Sequence, residues 1–266
     1  MTPHASERVG AWRGAWRRSG RLVLLLDFDG TLAPIAARPE LAAVPERTRA
    51  ALDRLLALPG VQAAVVSGRG MADARERARI PGIAYAGNHG MEIEGPGVRR
   101  VHPEARAARP ELEEAASAVA AALAEVPGAW VEDKGLTLSV HYRQVAEERA
   151  GEVREAVLGA VRGSEGLRVT EGKMVLEVRP RVEWDKGRAV DFLLDHLRPP
   201  PGAPVLYLGD DTTDEDAFRA LLARPEGGEG VLVAETPPAS TAARAWLRSP
   251  EEVGALFEAL AGEGDA

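Results

Sequence analysis

The stretch Arg21-Leu22-Val23-Leu24-Leu25-Leu26-Asp27-Phe28-Asp29-Gly30-Thr31 decides the fold of this chain. Its apolar run is too short for a helix and does not alternate, which marks a strand buried on both faces; such strands belong to parallel sheets. An acidic turn follows at once. Open parallel sheets bind ligands beyond the carboxyl ends of their strands, and residues two apart in an extended segment project the same way. Asp27 and Asp29 are therefore expected to face one pocket. Two converging carboxylates repel each other unless a cation or a shared proton relieves them.

A second acidic string, Gly209-Asp210-Asp211-Thr212-Thr213-Asp214-Glu215, follows another apolar run, Val205 to Leu208. If the two strands are neighbours, Asp27, the backbone at Asp29, and Asp210 form an all-oxygen site suited to Mg²⁺. Acidic residues after a strand also cap the following helix, and either cluster alone would read that way. Two clusters on separate apolar strands favour the metal. An EF-hand fails on spacing, since with Gly30 as the sixth loop position the first would be Leu25 and the twelfth Ala36. No P-loop string occurs.

Outward from these strands the pattern alternates. A helix is expected over Pro45 to Leu58, a strand over Val61 to Val66, a helix over Gly70 to Arg79 and a strand over Ile83 to Ala86. The rhythm breaks after His89. A hairpin around Gly95-Pro96-Gly97, an alanine-rich helix from Glu104 to Val126, strands at Trp130 to Lys134 and Leu136 to Tyr142, a helix from Glu147 to Val161, and strands at Arg168 to Thr170 and Met174 to Val178 suggest a separate α+β module. The alternation resumes with a helix over Lys186 to Leu197, the strand Val205 to Leu208, a helix over Glu215 to Leu222, a strand over Val231 to Ala234 and a closing helix over Glu251 to Leu260. The expectation is an α/β protein: a Rossmann-like parallel-sheet core of residues 1–99 and 182–266, with an inserted α+β cap domain at 100–181.

Composition supports a folded chain and excludes several classes. The 266 residues are 45% hydrophobic and 28% charged, enough for one large core or two modest ones. A net charge of −8 gives no overall field toward nucleic acid or anionic lipid. The absence of cysteine removes disulfides, thiolate metal sites and cysteine nucleophiles. Arg17-Arg18 before Leu22 to Leu26 superficially suggests an export signal, but the apolar run ends after five residues in Asp27. A cytoplasmic protein without a membrane partner is expected. Trp12 and Trp16, four apart, would share a helix face, which reads as a membrane foot, a partner surface or, more simply, a face packed onto the body.

Two further strings complete the chemistry. Ser67-Gly68-Arg69 ends a strand, where a hydroxyl, a glycine and backbone N–H groups suit a phosphate; a plain strand–helix turn is the simpler reading of that string alone. Lys186, in Asp185-Lys186-Gly187, opens a helix and could reach a bound phosphate as a point charge. Taken together and in order, the DFDGT, SGR, DKG and GDDTTDED strings resemble the haloacid dehalogenase-like phosphatases. That resemblance implies Asp27 as nucleophile, Asp29 as acid and base, Ser67, Gly68 and Lys186 on the phosphoryl oxygens, and Mg²⁺ held by Asp27, Asp29 and Asp210 with support from Asp211 and Asp214.

Substrate identity is expected in the inserted module. Gly87-Asn88-His89-Gly90, Glu132-Asp133-Lys134, His141-Tyr142-Arg143 and the string from Gly172-Lys173 to Glu177 and Arg179-Pro180 are each explicable as polar side chains facing water on a half-exposed sheet. Yet mixed carboxylate, ammonium and amide groups are what polyhydroxyl sugars require. The combination resembles the trehalose-6-phosphate phosphatases, over nearly the whole span from Asp27 to Phe218. By that resemblance Glu132, Lys134 and Glu177 bind sugar hydroxyls, His89 and Arg143 lie nearby, the partner is a small sugar phosphate, and a trehalose-phosphate synthase is a possible functional companion. Sucrose-phosphate and mannosyl-phosphoglycerate phosphatases, and a catalytically silent sugar-phosphate sensor, are the alternatives.

Overall fold

The computed structural model describes residues 2–172, 174–225 and 227–262. In chain order the helices and strands are α1 (Val9–Ser19), β1 (Leu22–Leu26), α2 (Glu46–Leu56), β2 (Val61–Val66), α3 (Met71–Ala78), β3 (Ala84–Gly87), β4 (Glu92–Gly95), β5 (Val98–Val101), α4 (Pro103–Ala107), α5 (Arg109–Ala122), β6 (Trp130–Asp133), β7 (Leu138–His141), α6 (Ala150–Ala160), β8 (Leu167–Gly172), β9 (Val175–Pro180), α7 (Lys186–Leu197), β10 (Val205–Gly209), α8 (Asp214–Ala223), β11 (Glu229–Val233), β12 (Ala245–Leu247) and α9 (Pro250–Ala261). They fall into two compact units, Met1–Arg99 with Trp184–Ala266, and Arg100–Glu183.

The first unit is built on an eight-stranded sheet in the order β12-β11-β10-β1-β2-β3-β4-β5. The strands from β12 to β3 run parallel, and β4 joins β3 antiparallel. From β1 the chain winds one way through β2 and β3, and on its return the other way through β10, β11 and β12. The topological switch thus lies between β1 and β10, where Leu26 pairs with Leu208.

Pleating explains the unbroken apolar run. Leu22, Leu24 and Leu26 project into one cluster with Leu52 and Leu55 of α2 and Leu256 and Phe257 of α9. Val23 and Leu25 project into the other, with Val190 and Leu193 of α7 and Phe218 of α8. Each fully buried leucine contributes about 1.5–3 kcal/mol against exposure. Trp12 of α1 is buried in the first cluster and Trp16 packs against it, so that helix face docks on the body.

The second unit is a four-stranded antiparallel sheet, β6-β7-β9-β8, with one face covered by α5 and α6 through Leu112, Val119, Val153 and Val157. The expected single helix over Glu104 to Val126 is broken. Pro110 in the first turn of α5 lacks the N–H that a continuous helix would use, so α4 ends at Ala107 and α5 starts afresh at Arg109. Strand β12 has no counterpart in the sequence expectation. No helix among the described residues is long and apolar enough to cross a membrane.

Candidate active site

The end of β1 carries the site. Asp27 donates its backbone N–H to Leu208 O of β10 at 2.9 Å, continuing the β1–β10 pairing one residue past the end of β1. Its carboxylate is buried and accepts from Lys186 Nζ at 2.7 Å. Lys186 opens α7, and the same ammonium donates to Asp214 Oδ1 at 2.7 Å. The turn after Asp27 closes on itself, with Gly30 N–H on Ala33 O at 2.8 Å and Ala33 N–H on Phe28 O at 2.9 Å. Gly30 has φ +79°, and a Cβ there would stand 2.1 Å from Asp210 Oδ2. Only glycine lets the β1 and β10 loops approach this closely.

Asp27, Asp210 and Asp214 each bring a carboxylate oxygen to within 4.8 Å of the others. They are not equivalent. Asp214 Oδ1 accepts from Lys186 and, at 2.6 Å, from Tyr207 Oη; Oδ2 accepts from the backbone N–H groups of Asp210 and Asp211, each at 3.0 Å. A carboxylate has about four lone-pair positions, so Asp214 is saturated. It orients Lys186 and shapes the Asp210–Asp211 turn, and leaves Asp27 and Asp210 as the open carboxylates. Asp211 accepts from Thr213 N–H and Oγ1 and from Asp214 N–H, which closes the turn leading into α8.

Charge is unbalanced here. Burial, with the repulsion of Asp214 and Asp211, pushes the Asp210 carboxyl up to about 8. Burial also pushes Asp27 up, against the pull of Lys186. Asp211, which burial alone would raise, is held at about 2 by Lys186 and its Thr213 and Asp214 donors. Lys186 stays cationic because Asp214 and Asp27 outweigh the burial that would lower it. Four carboxylates around one ammonium fit a site that takes a further cation, and the open donors are hard oxygens.

Asp29 does not join the converging carboxylates. Its side chain is clasped by Arg69, Nε to Oδ2 at 2.6 Å and Nη2 to Oδ1 at 2.7 Å. Sequence reasoning passed over Arg69 as the partner of Asp29, although Ser67-Gly68-Arg69 displays it, and Tyr207 as a partner of Asp214, hidden inside an apolar strand.

Ser67 directly follows β2, the neighbour of β1, and is buried, with its Oγ accepting from Arg69 N–H at 3.2 Å. His89 N–H donates to Ser67 O at 2.8 Å, and Asn88 N–H to Arg69 O at 2.7 Å. A Cβ on Gly68 would stand 2.8 Å from the His89 ring, so this glycine serves close approach. Asn88, His89 and Gly90 have φ of 50°, 57° and 88°. A left-handed histidine costs on the order of 1–3 kcal/mol and persists where surrounding contacts over-determine it. In that conformation the His89 ring lies against Gly68, in the loop expected to hold phosphate.

The second unit carries a separate constellation on the sheet face away from its helices. Glu177 accepts from Lys134 Nζ at 3.3 Å and Ser139 Oγ at 3.4 Å. Glu132 pairs with His141 at 2.8 Å, and Trp130 stacks on His141 at 4.0 Å. Glu132, Lys134 and Glu177 are thus brought together, whereas Arg143 is exposed in the turn after β7 and Lys173 lies outside the described residues.

The family model described as trehalose-phosphatase matches residues 25–251. The chain is 40% identical to the trehalose-phosphate phosphatase of Mycobacterium marinum over 98% of its own length and 67% of that protein. It is 37% identical to the probable trehalose-phosphate phosphatase D of Arabidopsis thaliana, over 90% of this chain and 67% of the relative. It therefore spans about two thirds of the length of these relatives. Among solved structures, the C-terminal domain of the C. albicans trehalose-6-phosphate phosphatase superposes with a TM-score of 0.79 at 26% identity, covering 98% of each chain. With the core strands ending in this acidic, lysine-bridged pocket, these likenesses establish that the chain belongs to the trehalose-phosphatase family of phosphoric monoester hydrolases.

Proposed function

We propose that the protein hydrolyses trehalose 6-phosphate to trehalose and inorganic phosphate through an aspartyl-phosphate on Asp27. The observation that carries this reading is the placement of the Asp27 carboxylate at the switch point, 2.7 Å from Lys186 Nζ and beside Asp210. Asp27 attacks phosphorus and the ester P–O bond breaks, Asp29 passing a proton to the departing sugar oxygen. Asp29 then takes a proton from water, which attacks the acyl phosphate and frees Asp27. Lys186, Ser67 and the backbone at Gly68 hold the phosphoryl oxygens. A magnesium ion held by Asp27, Asp210 and the Asp29 backbone would neutralise charge between carboxylate and phosphate.

The inserted unit is the sugar-recognising cap in this reading. Glu132, Lys134 and Glu177 supply hydroxyl partners, with His89 and Arg143 as further contacts. The substrate is the product of a trehalose-phosphate synthase, so functional pairing with such an enzyme in the cytoplasm belongs to the same proposal.

Phosphate release from trehalose, sucrose, glucose and mannosylglycerate phosphates tests it. Trehalose 6-phosphate should be preferred, activity should vanish in EDTA, and Mg²⁺ should restore it. Preference for another sugar, or full turnover in excess chelator, would overturn the substrate or the metal respectively.

Replacing Glu132, Lys134 or Glu177 by alanine should lower kcat/KM for trehalose 6-phosphate roughly 10- to 150-fold, the value of one hydrogen bond to a charged group. p-Nitrophenyl phosphate, which gains little from remote binding, should lose much less. Equal losses on both esters with a lowered melting temperature would instead make the Lys134–Glu177 pair a tie between β6 and β9.

A further inference from the structure

We propose that Arg69 is the positioning residue that aims Asp29 at the leaving oxygen, an inference that rests on reading Asp29 as the proton donor. Its side chain is nearly all buried, at 7% exposure, and every edge of the guanidinium is engaged. One edge makes the two-point clasp on Asp29. Nη1 donates to Asp73, and Nη2 also donates to Pro39 O at 3.0 Å. The plane lies over the Phe28 ring at 5.0 Å. Asp73 is itself fixed by Arg77 Nε at 3.0 Å, and Arg77 reaches Glu40 O at 2.5 Å. The Arg69 main chain is pinned between Ser67 Oγ and Asn88 N–H.

Asp29, by contrast, is more than a third exposed, at 37%. Without the clasp its carboxylate would turn among rotamers, and proton transfer needs it within hydrogen-bond reach of one oxygen. A planar fork sets both the rotamer and the ring-like plane of the pair; an ammonium sets neither. The same guanidinium ties the backbone at Pro39, so the segment after the catalytic turn and the orientation of Asp29 share one fixed point.

The test separates aim from mere support. Phenyl and p-nitrophenyl phosphate carry no sugar and differ in how much they need a proton on departure. For Arg69→Lys, the ratio of kcat/KM for phenyl over p-nitrophenyl phosphate should fall about 10- to 100-fold, within the range that general acid catalysis supplies. Arg69→Met should give the same shift, and the lysine variant, which keeps the charge, covers the case in which the methionine variant does not fold. In an Asp29→Asn background, adding Arg69→Lys should change the ratio less than about threefold, because the group it serves is gone. An unchanged ratio in Arg69→Lys, or full multiplicative losses in the double variant, would overturn the positioning role. Asp29→Asn alone that leaves the ratio unchanged would instead overturn the reading of Asp29.

Discussion

Asp27→Asn should abolish turnover while leaving the protein as stable as before, or more so. Enzymes lower the barrier to phosphate-monoester hydrolysis by more than about 20 kcal/mol, and a neutral amide cannot form the acyl phosphate on which the proposed route depends. A fall in kcat of at least about 10⁴-fold is expected. Stability should move the other way because burial already opposes the charged form of this carboxyl. A neutral isostere removes that opposition, and Lys186 retains Asp214 at 2.7 Å. Steady-state assays paired with thermal melts check both halves. Near-normal turnover would remove Asp27 as nucleophile, and a melting temperature lowered by several degrees would show that its charge is structural.

Lys186→Met should fail in both respects. The Lys186 side chain is 3% exposed, and its ammonium lies between the carboxylates of two buried side chains, Asp27 at 6% and Asp214 at 0%. Removing one partner of a buried ion pair costs about 3–5 kcal/mol, because the other charge is left uncompensated. For a chain of this size that corresponds to a drop in Tm of roughly 6–20 °C, measured in chelator so that no added cation substitutes for the lysine. Activity should fall to background as the phosphate loses its point charge. Adding Asp27→Asn to Lys186→Met should recover part of the lost stability, since one of the two stranded carboxylates is then neutral. A single variant that melts within about 2 °C of the parent would show that the ion triad contributes little to the fold.

What could be read from the linear chain follows from how local each signal is. Asp27 is legible because a five-residue apolar run and an acidic turn are contiguous, and because continuous apolarity is what burial on both faces demands. The neighbouring of β1 and β10 enters only as a condition, since nothing local in either strand names its partner. The Arg69–Asp29 clasp joins residues 40 apart, and the Tyr207 hydroxyl looks like one more large side chain until Asp214 is seen against it. Glu132, Lys134 and Glu177 are visible as a set through resemblance, whereas their actual pairing depends on the antiparallel register that sets Ser139 opposite both Glu132 and Glu177. Strand β12 is three residues long, too short for any periodicity to show. The break before α5 was within reach: Pro110 carries it, and the alanine-rich run on either side masked it.

The central pair of the core sheet has a consequence for the order in which the chain can acquire structure. Val23 of β1 is hydrogen-bonded beside Val205 of β10, about 180 positions later. The four strands of the inserted unit all come from residues 130–180, with most pairings between near neighbours in sequence. During synthesis from the N-terminus, that insert can emerge in full while β1 still lacks β10, and β10 in turn precedes β11 and β12. The strand that leads into Asp27 is therefore flanked on one side only until β10 has been made. High contact order of this kind slows folding and leaves a long apolar edge open to wrong partners. Ordering by local contacts favours the insert and the β1–β2–β3 half as early structures, and assigns the closing of the acidic cluster around Lys186 to the final steps of folding.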